Sequence, residues 1–241
     1  MKNGGLIAKI TDHRRPDTLA SRLRQKRWEF FRNLASSVER PMKILDVGGT
    51  QTVWERIGFA DQPDIRIILL NIIKVPGDHS NMESLQGNAC SMPQFHDKQF
   101  DVVFSNSVIE HVGDDGKMRS MADEIRRVGK SYYIQTPNRY FPVEPHFLFP
   151  MFQFLPISLR TTLIRNFPLG WFPRIPDRKH AEEVVRSVNL LSRSEMKALF
   201  PDAVTFEERL FGISKSIQAY KFSSDGNSTS RDDTAKFHTA P

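Results

Sequence analysis

A chain of 241 residues with 39% hydrophobic content can bury one sizeable core and carry appendages. Its single cysteine, Cys90, excludes an internal disulfide and cysteine-rich zinc sites, and fits a reducing cytoplasm. The net charge of +6 is concentrated at one end: residues 1–43 hold 11 Lys/Arg against 4 Asp/Glu, a balance of +7, and the remainder is at −1.

The N-terminus is polar and turns basic before any long apolar run, so no secretory leader is read there. From Thr18 to about Glu39, apolar residues Leu19, Leu23, Phe30, Phe31, Leu34 and Val38 recur at helical spacing, and Pro41 closes the pattern. Arg27 interrupts that apolar stripe. The basic helix reads either as a solvated cap on the domain or as a face for an anionic partner. It lacks a groove-reading or base-stacking motif, which argues against nucleic acid.

Four short apolar runs follow: Met42 to Gly48, Asp64 to Ile72, Phe100 to Asn106 and Ser131 to Pro137. Helical windows at 52–59 and 117–128 lie between them, and strands alternating with helices imply a mainly parallel sheet. Residues 138–180 are rich in Pro, Phe and Arg and break the alternation. A helix over 190–200 is expected, with Ser192 and Glu195 as a capping box. "AVTFEERLFG" and "KSIQAYKF" read as a closing antiparallel pair, and the polar stretch after them as a disordered tail. "FLFPMFQFLPISL" is too short and too broken by Pro150 and Pro156 to span a bilayer as a helix.

The first run ends in "LDVGGT", at the place where open parallel sheets bind ligands. Glycines there let backbone approach a ligand, but the third glycine of a dinucleotide fingerprint is missing, and Asp46 would set a negative charge near phosphates. A ligand with a cationic end suits this turn better. The stretch, with "FDVVFSN" further on, resembles the class I S-adenosylmethionine-dependent methyltransferases, nearest to their bacterial small-molecule branch. Residues 42–137 carry the resemblance and the antiparallel pair extends it to about 222.

The resemblance implies a Rossmann-like, doubly wound α/β fold: a mainly parallel seven-stranded sheet with a final antiparallel strand. Around it would lie an N-terminal segment and capping helix (1–41), a methyltransferase domain (42–222) with an aromatic, Pro-rich acceptor-side insertion (138–189), and a tail (223–241). It implies S-adenosyl-L-methionine as cofactor, with Asp46, Gly48 and Gly49 at its methionine end and Asn71 where an acid usually grips the ribose. Asn88 and Ala89 fall at the adenine motif, and Asn106 beside the transferring methyl. Thr50 and Thr52 stand where glycines are usual.

Two groups are candidates for the chemistry. Glu110 and His111 follow the fourth strand; in related ubiquinone-pathway enzymes such a pair, with an acid three residues earlier, can hold a metal. Ser107 replaces that acid here, and no metal is assigned. His146, beside Glu144 and Pro145, is the candidate general base, with Tyr140, Phe141, Phe147 and Phe149 as walls of an acceptor pocket. The function expected is methyl transfer, O-directed, to a small-molecule or lipid-linked acceptor, in the cytoplasm or peripheral to the inner membrane face. The competing readings are a methyltransferase-fold binding module without catalysis and a nicotinamide oxidoreductase, the latter opposed by Asp46.

Overall fold

The computed structural model describes residues 19–222; the basic stretch before Leu19 and the expected tail at 223–241 lie outside the described residues. The elements run α1 (Leu19–Ala35), β1 (Met42–Val47), α2 (Gln51–Ile57), β2 (Ile65–Asn71), β3 (Met82–Gln86), β4 (Phe100–Asn106), α3 (Asp115–Val128) and β5 (Gly129–Pro137). The insertion holds a small hairpin of β6 (Val143–Glu144) and β7 (Phe149–Pro150), then α4 (Ile157–Asn166) and α5 (Arg178–Arg186). The chain closes with α6 (Arg193–Leu199), β8 (Val204–Leu210) and β9 (Ile213–Lys221).

Seven strands form one sheet in the order β3-β2-β1-β4-β5-β9-β8. The first five are parallel, β9 runs antiparallel to β5, and β8 pairs antiparallel with β9. This is the Rossmann-like α/β sheet with an antiparallel closing strand that the motifs imply. The central strands β1, β2 and β4 are covered on both faces, which is why they read as continuous apolar runs.

Both faces are packed, by different sets of side chains. On one, Trp28, Phe31 and Ala35 of α1 and Trp54 and Ile57 of α2 bury against Ile44, Ile67, Phe104 and Tyr133. Phe31 is the hub, with Phe104 and Tyr133 at 4.7 and 5.3 Å. On the other, Met118, Met121, Ile125 and Val128 of α3, with Met196 of α6, cover Leu45, Val103 and Ile134. The insertion has a third cluster of its own, including Phe147, Phe152, Ile164, Ala181 and Val185.

Several boundaries differ from the sequence reading. Strand β3 was not anticipated: "MESLQ" pairs with β2 on one side only, and just Met82 of it is buried. The first helix ends at Ala35 rather than Glu39, and the second covers 51–57 because Gly58 ends it in the left-handed region at φ 84°. The Ser192–Glu195 capping box forms as read. The Pro-, Phe- and Arg-rich segment at 138–180, which breaks the alternation, is a hairpin followed by helices packed on their own core.

Candidate active site

The carboxyl ends of β1, β2, β4 and β5 meet at one edge of the sheet, and the glycine turn closes the first of them. Gly48 sits at φ 79° and donates its N–H to Leu70 O at 2.8 Å. Asp46 is 0% exposed beneath the turn. Its Oδ2 accepts from Trp54 Nε1 at 2.7 Å, and its Oδ1 has no partner. A Cβ at Gly49 would stand 1.7 Å from that Oδ2, so glycine is required to keep the carboxylate in place. Burial pushes the Asp46 carboxyl up to about 7, against the pull of the Trp54 hydrogen bond.

Asn71, at the end of β2, donates Nδ2 to Gly49 O at 2.9 Å and thereby ties strand to turn. Ile72 and Ile73 follow it, exposed by 66% and 77%. The Asn88 Oδ1 accepts from Cys90 N at 2.9 Å, the closure of a local turn. Ala89 is packed against the core beside it.

At the end of β4, Asn106 Oδ1 accepts from Arg27 Nη1 at 3.1 Å. The same nitrogen reaches Gln135 Oε1 at 2.8 Å, and the rest of the guanidinium makes a two-pronged pair with Glu208 at 3.0–3.2 Å. Arg27 and Glu208 are 8% and 7% exposed. The residue that interrupts the apolar stripe of α1 is therefore the one that reaches across to the ends of β4, β5 and β8.

Next to Asn106 is the titratable cluster. Glu110 is fully buried; Thr136 Oγ1 donates to its Oε2 at 3.0 Å, and Oε1 has no partner. Burial raises its carboxyl to about 7. His111 is exposed and packs edge-on to His146 with ring centroids 4.8 Å apart. Glu144, 1% exposed, holds His146 Nδ1 at 2.7 Å and also accepts from the backbone N–H of His146 and Phe147. Burial opposes the charge on His146, but the Glu144 hydrogen bond and the nearby carboxylates raise it above the usual histidine range. Desolvation and the neighbouring His146 lower His111.

The structure thus brings Glu110, His111 and His146 into one group from positions 35 residues apart, with ligand-type atoms all within 4.8 Å of one another. Such a set can also take a divalent cation. The aromatic walls are redistributed: Phe147 is buried on Phe152 and Phe172, whereas Tyr140 is 63% exposed and stacks on Phe154. Trp54, Gln135 and Thr136 were not read as site residues; none stands in a local motif that would have marked it.

Residues 68–132 match the family model described as a methyltransferase domain. With the seven-stranded sheet, this makes the chain similar to the class I S-adenosylmethionine-dependent methyltransferases, a class whose cofactor is S-adenosylmethionine. Among solved structures it resembles the CurJ carbon methyltransferase at 13% identity and a TM-score of 0.54, over 88% of this chain and 57% of that one. A SAM-dependent methyltransferase from Aquifex aeolicus gives 13% identity and 0.48 over 90% and 98%. The CurJ likeness, at that identity, is one of fold.

Two uncharacterized proteins of Mycobacterium tuberculosis, strains CDC 1551 and H37Rv, are 39% identical over 56 residues. The match spans 23% of this chain and only 19% of theirs. Among the described residues, no helix is long and apolar enough to cross a membrane.

Proposed function

We propose that the protein transfers a methyl group from S-adenosylmethionine to an oxygen of a small-molecule acceptor. The observation that carries this is Asp46, a buried carboxylate with one unpartnered oxygen under a two-glycine turn. An uncompensated charge in that place is costly, and a ligand ammonium at the turn would supply the missing counter-charge. Asn71 keeps its Oδ1 for a ribose hydroxyl, and Ile72 and Ile73 offer apolar cover for a base. Asn88, whose Oδ1 already closes a local turn, would meet adenine through its Nδ2 or its backbone.

When bound, the cofactor supplies an electrophilic methyl on a sulfonium. Asn106, fixed by Arg27, would border the transfer point. His146 Nε2 would take the acceptor proton as the methyl moves to oxygen and the neutral thioether leaves. Glu144 fixes the imidazole orientation and stabilises its protonated form, as a carboxylate behind a catalytic histidine does. Glu110 and His111 would border the same acceptor. A lipid-linked acceptor, with peripheral contact at the inner membrane face, is the wider form of this reading; exposed Tyr140, Phe154 and Phe167 on the insertion support it.

A second reading, a binding module without catalysis, is favoured by the side chains of Asn88 and Asn106, already engaged within the protein. Calorimetric titration separates the two. S-adenosylhomocysteine is expected to bind in the micromolar range and NADH not at all; absence of binding to both would leave the module. With an acceptor in hand, His146→Ala is expected to slow turnover by roughly 10²–10⁴-fold. Glu144→Gln should move the ascending limb of the rate–pH profile to lower pH, because the group that raises His146 is neutralised. An unmoved profile would remove His146 from the base role.

A further inference from the structure

Beside the titratable cluster, the insertion encloses space lined with unsatisfied polar groups. One cavity of about 540 Å³ lies between the loop before α3 and helices α4 and α5. A second, of about 180 Å³, shares Asp115, Arg160 and Asn189 with it and is bounded by Glu144, the residue that holds His146. Asn189 also donates its backbone N–H to Glu110 O at 2.8 Å, so the cavities adjoin the proposed acceptor position.

The charged residues around them are mostly spoken for. Arg139 pairs with Glu195 at 2.9 Å, and Arg186 with Glu182 at 2.8 Å. Glu144 is engaged with His146, and Asp114 caps α3 through Lys117 N. Arg160 differs. Among the described residues it has no ion-pair partner, its Nε is buried without a hydrogen bond, and it lines both cavities. Gln153 lines the smaller one; its Nε2 donates to Arg139 O and Phe141 O, and its Oε1 is buried without a donor among the described residues. The cavity wall thus shows one unused cationic donor and one unused acceptor.

We propose that this cavity is the acceptor subsite and that it takes an acceptor bearing a carboxylate or a phosphate, bound by the Arg160 guanidinium. A planar guanidinium suits either oxyanion, and the unused Gln153 oxygen suits a hydroxyl or amine on the same molecule. Asp115, at the rim of both cavities, would turn away a second negative charge placed near it. This rests on the methyltransferase reading for the word acceptor; the oxyanion site itself does not.

The test uses the full-length protein and two probes, 4-hydroxyphenyl phosphate and 4-hydroxyphenylacetate, with 4-hydroxyphenylethanol as the neutral control. Titrations are run with and without S-adenosylhomocysteine. At least one anionic probe is expected to bind ten-fold or more tighter than the neutral one, and which does so tells phosphate from carboxylate. Arg160→Gln should lose roughly ten- to hundred-fold of that preference and leave S-adenosylhomocysteine affinity unchanged. Arg160→Lys should keep part of the preference, and it replaces the glutamine variant if that one does not fold. Equal affinity for neutral and anionic probes, no saturable binding by either anion, or a preference unchanged in the variants would overturn the proposal. Anion binding without any S-adenosylhomocysteine binding would instead defeat the methyltransferase reading and leave the oxyanion site standing.

Discussion

Arg27→Met is expected to destabilise the fold by about 3 kcal/mol, because it leaves the buried Glu208 carboxylate with Lys215 Nζ, 3.9 Å away, in place of the two-pronged guanidinium. The wild-type pair is hydrogen-bonded through three contacts at 3.0–3.2 Å, and removing Arg27 keeps the desolvation cost and leaves only the longer Lys215 contact to offset it among the described residues. The double variant Arg27→Met/Glu208→Leu should recover part of the loss, since it removes the buried carboxylate but also takes from Lys215 the charge it faces. Urea unfolding at pH 7 of the two single variants and the double measures this. If the double variant is no more stable than Arg27→Met, the pair is not the source of the loss. The single variant should also release Asn106 and Gln135, both held by the same guanidinium nitrogen.

The second large effect concerns Asp46 and has opposite signs in the two states of the protein. Its folded carboxyl lies near 7, above the value in an unfolded chain. Below about pH 4 both states are protonated and nothing is lost. Between about 4 and 7 the unfolded chain releases its proton while the folded one holds it, so stability falls as pH rises, levelling off above 7. The span corresponds to roughly 4 kcal/mol. Glu110, raised to about 7 by burial, adds a slope of the same sign in the same window.

Asp46→Asn removes the charge and retains an oxygen for the Trp54 N–H, so the ligand-free variant should melt higher than the wild type at pH 8. On the proposed function it should also bind S-adenosylhomocysteine at least ten-fold more weakly. Wild-type binding at pH 6.5 should release protons, detected as a dependence of the calorimetric heat on the buffer's ionisation enthalpy. A variant that melts no higher at pH 8 would show that the carboxylate is not the strained group.

How much of this could be read from the chain follows from where each residue's partners lie. Strands β1, β2 and β4 were legible because a strand covered on both faces is apolar throughout, and "LDVGGT" was legible because only glycine fits above Asp46. Strand β3 was not, because an edge strand with one buried residue has no apolar run to show. The Arg27 network joins residues 79 to 181 positions apart, and no local pattern encodes such a meeting. The stripe could show only that an arginine stood out of place. The turn that Asn88 closes with Cys90 N was not legible either, because a side chain that closes its own turn looks the same in sequence as one that faces a ligand. Arg160 lies in no motif at all; its distinction is that it has no ion-pair partner among the described residues, which is visible only once the others are seen to be paired.

The insertion's separate core has a consequence for how the domain opens. Its apolar side chains form a cluster of their own, and its ties to the sheet domain are largely polar, among them Asn189 N to Glu110 O, Asn189 Nδ2 to Gly113 O, Asn138 N to Lys215 O, Arg139 N to Leu191 O and the Arg139–Glu195 ion pair. A unit built this way can swing without unfolding, since parting it breaks hydrogen bonds that water can replace rather than exposing a shared apolar seam. In native-state hydrogen exchange, the Asn189 amide should therefore exchange well before the interior amides of α4 and α5, and these before the amides of β1 and β4. Simultaneous exchange of all three groups would mean that the molecule opens as a single block.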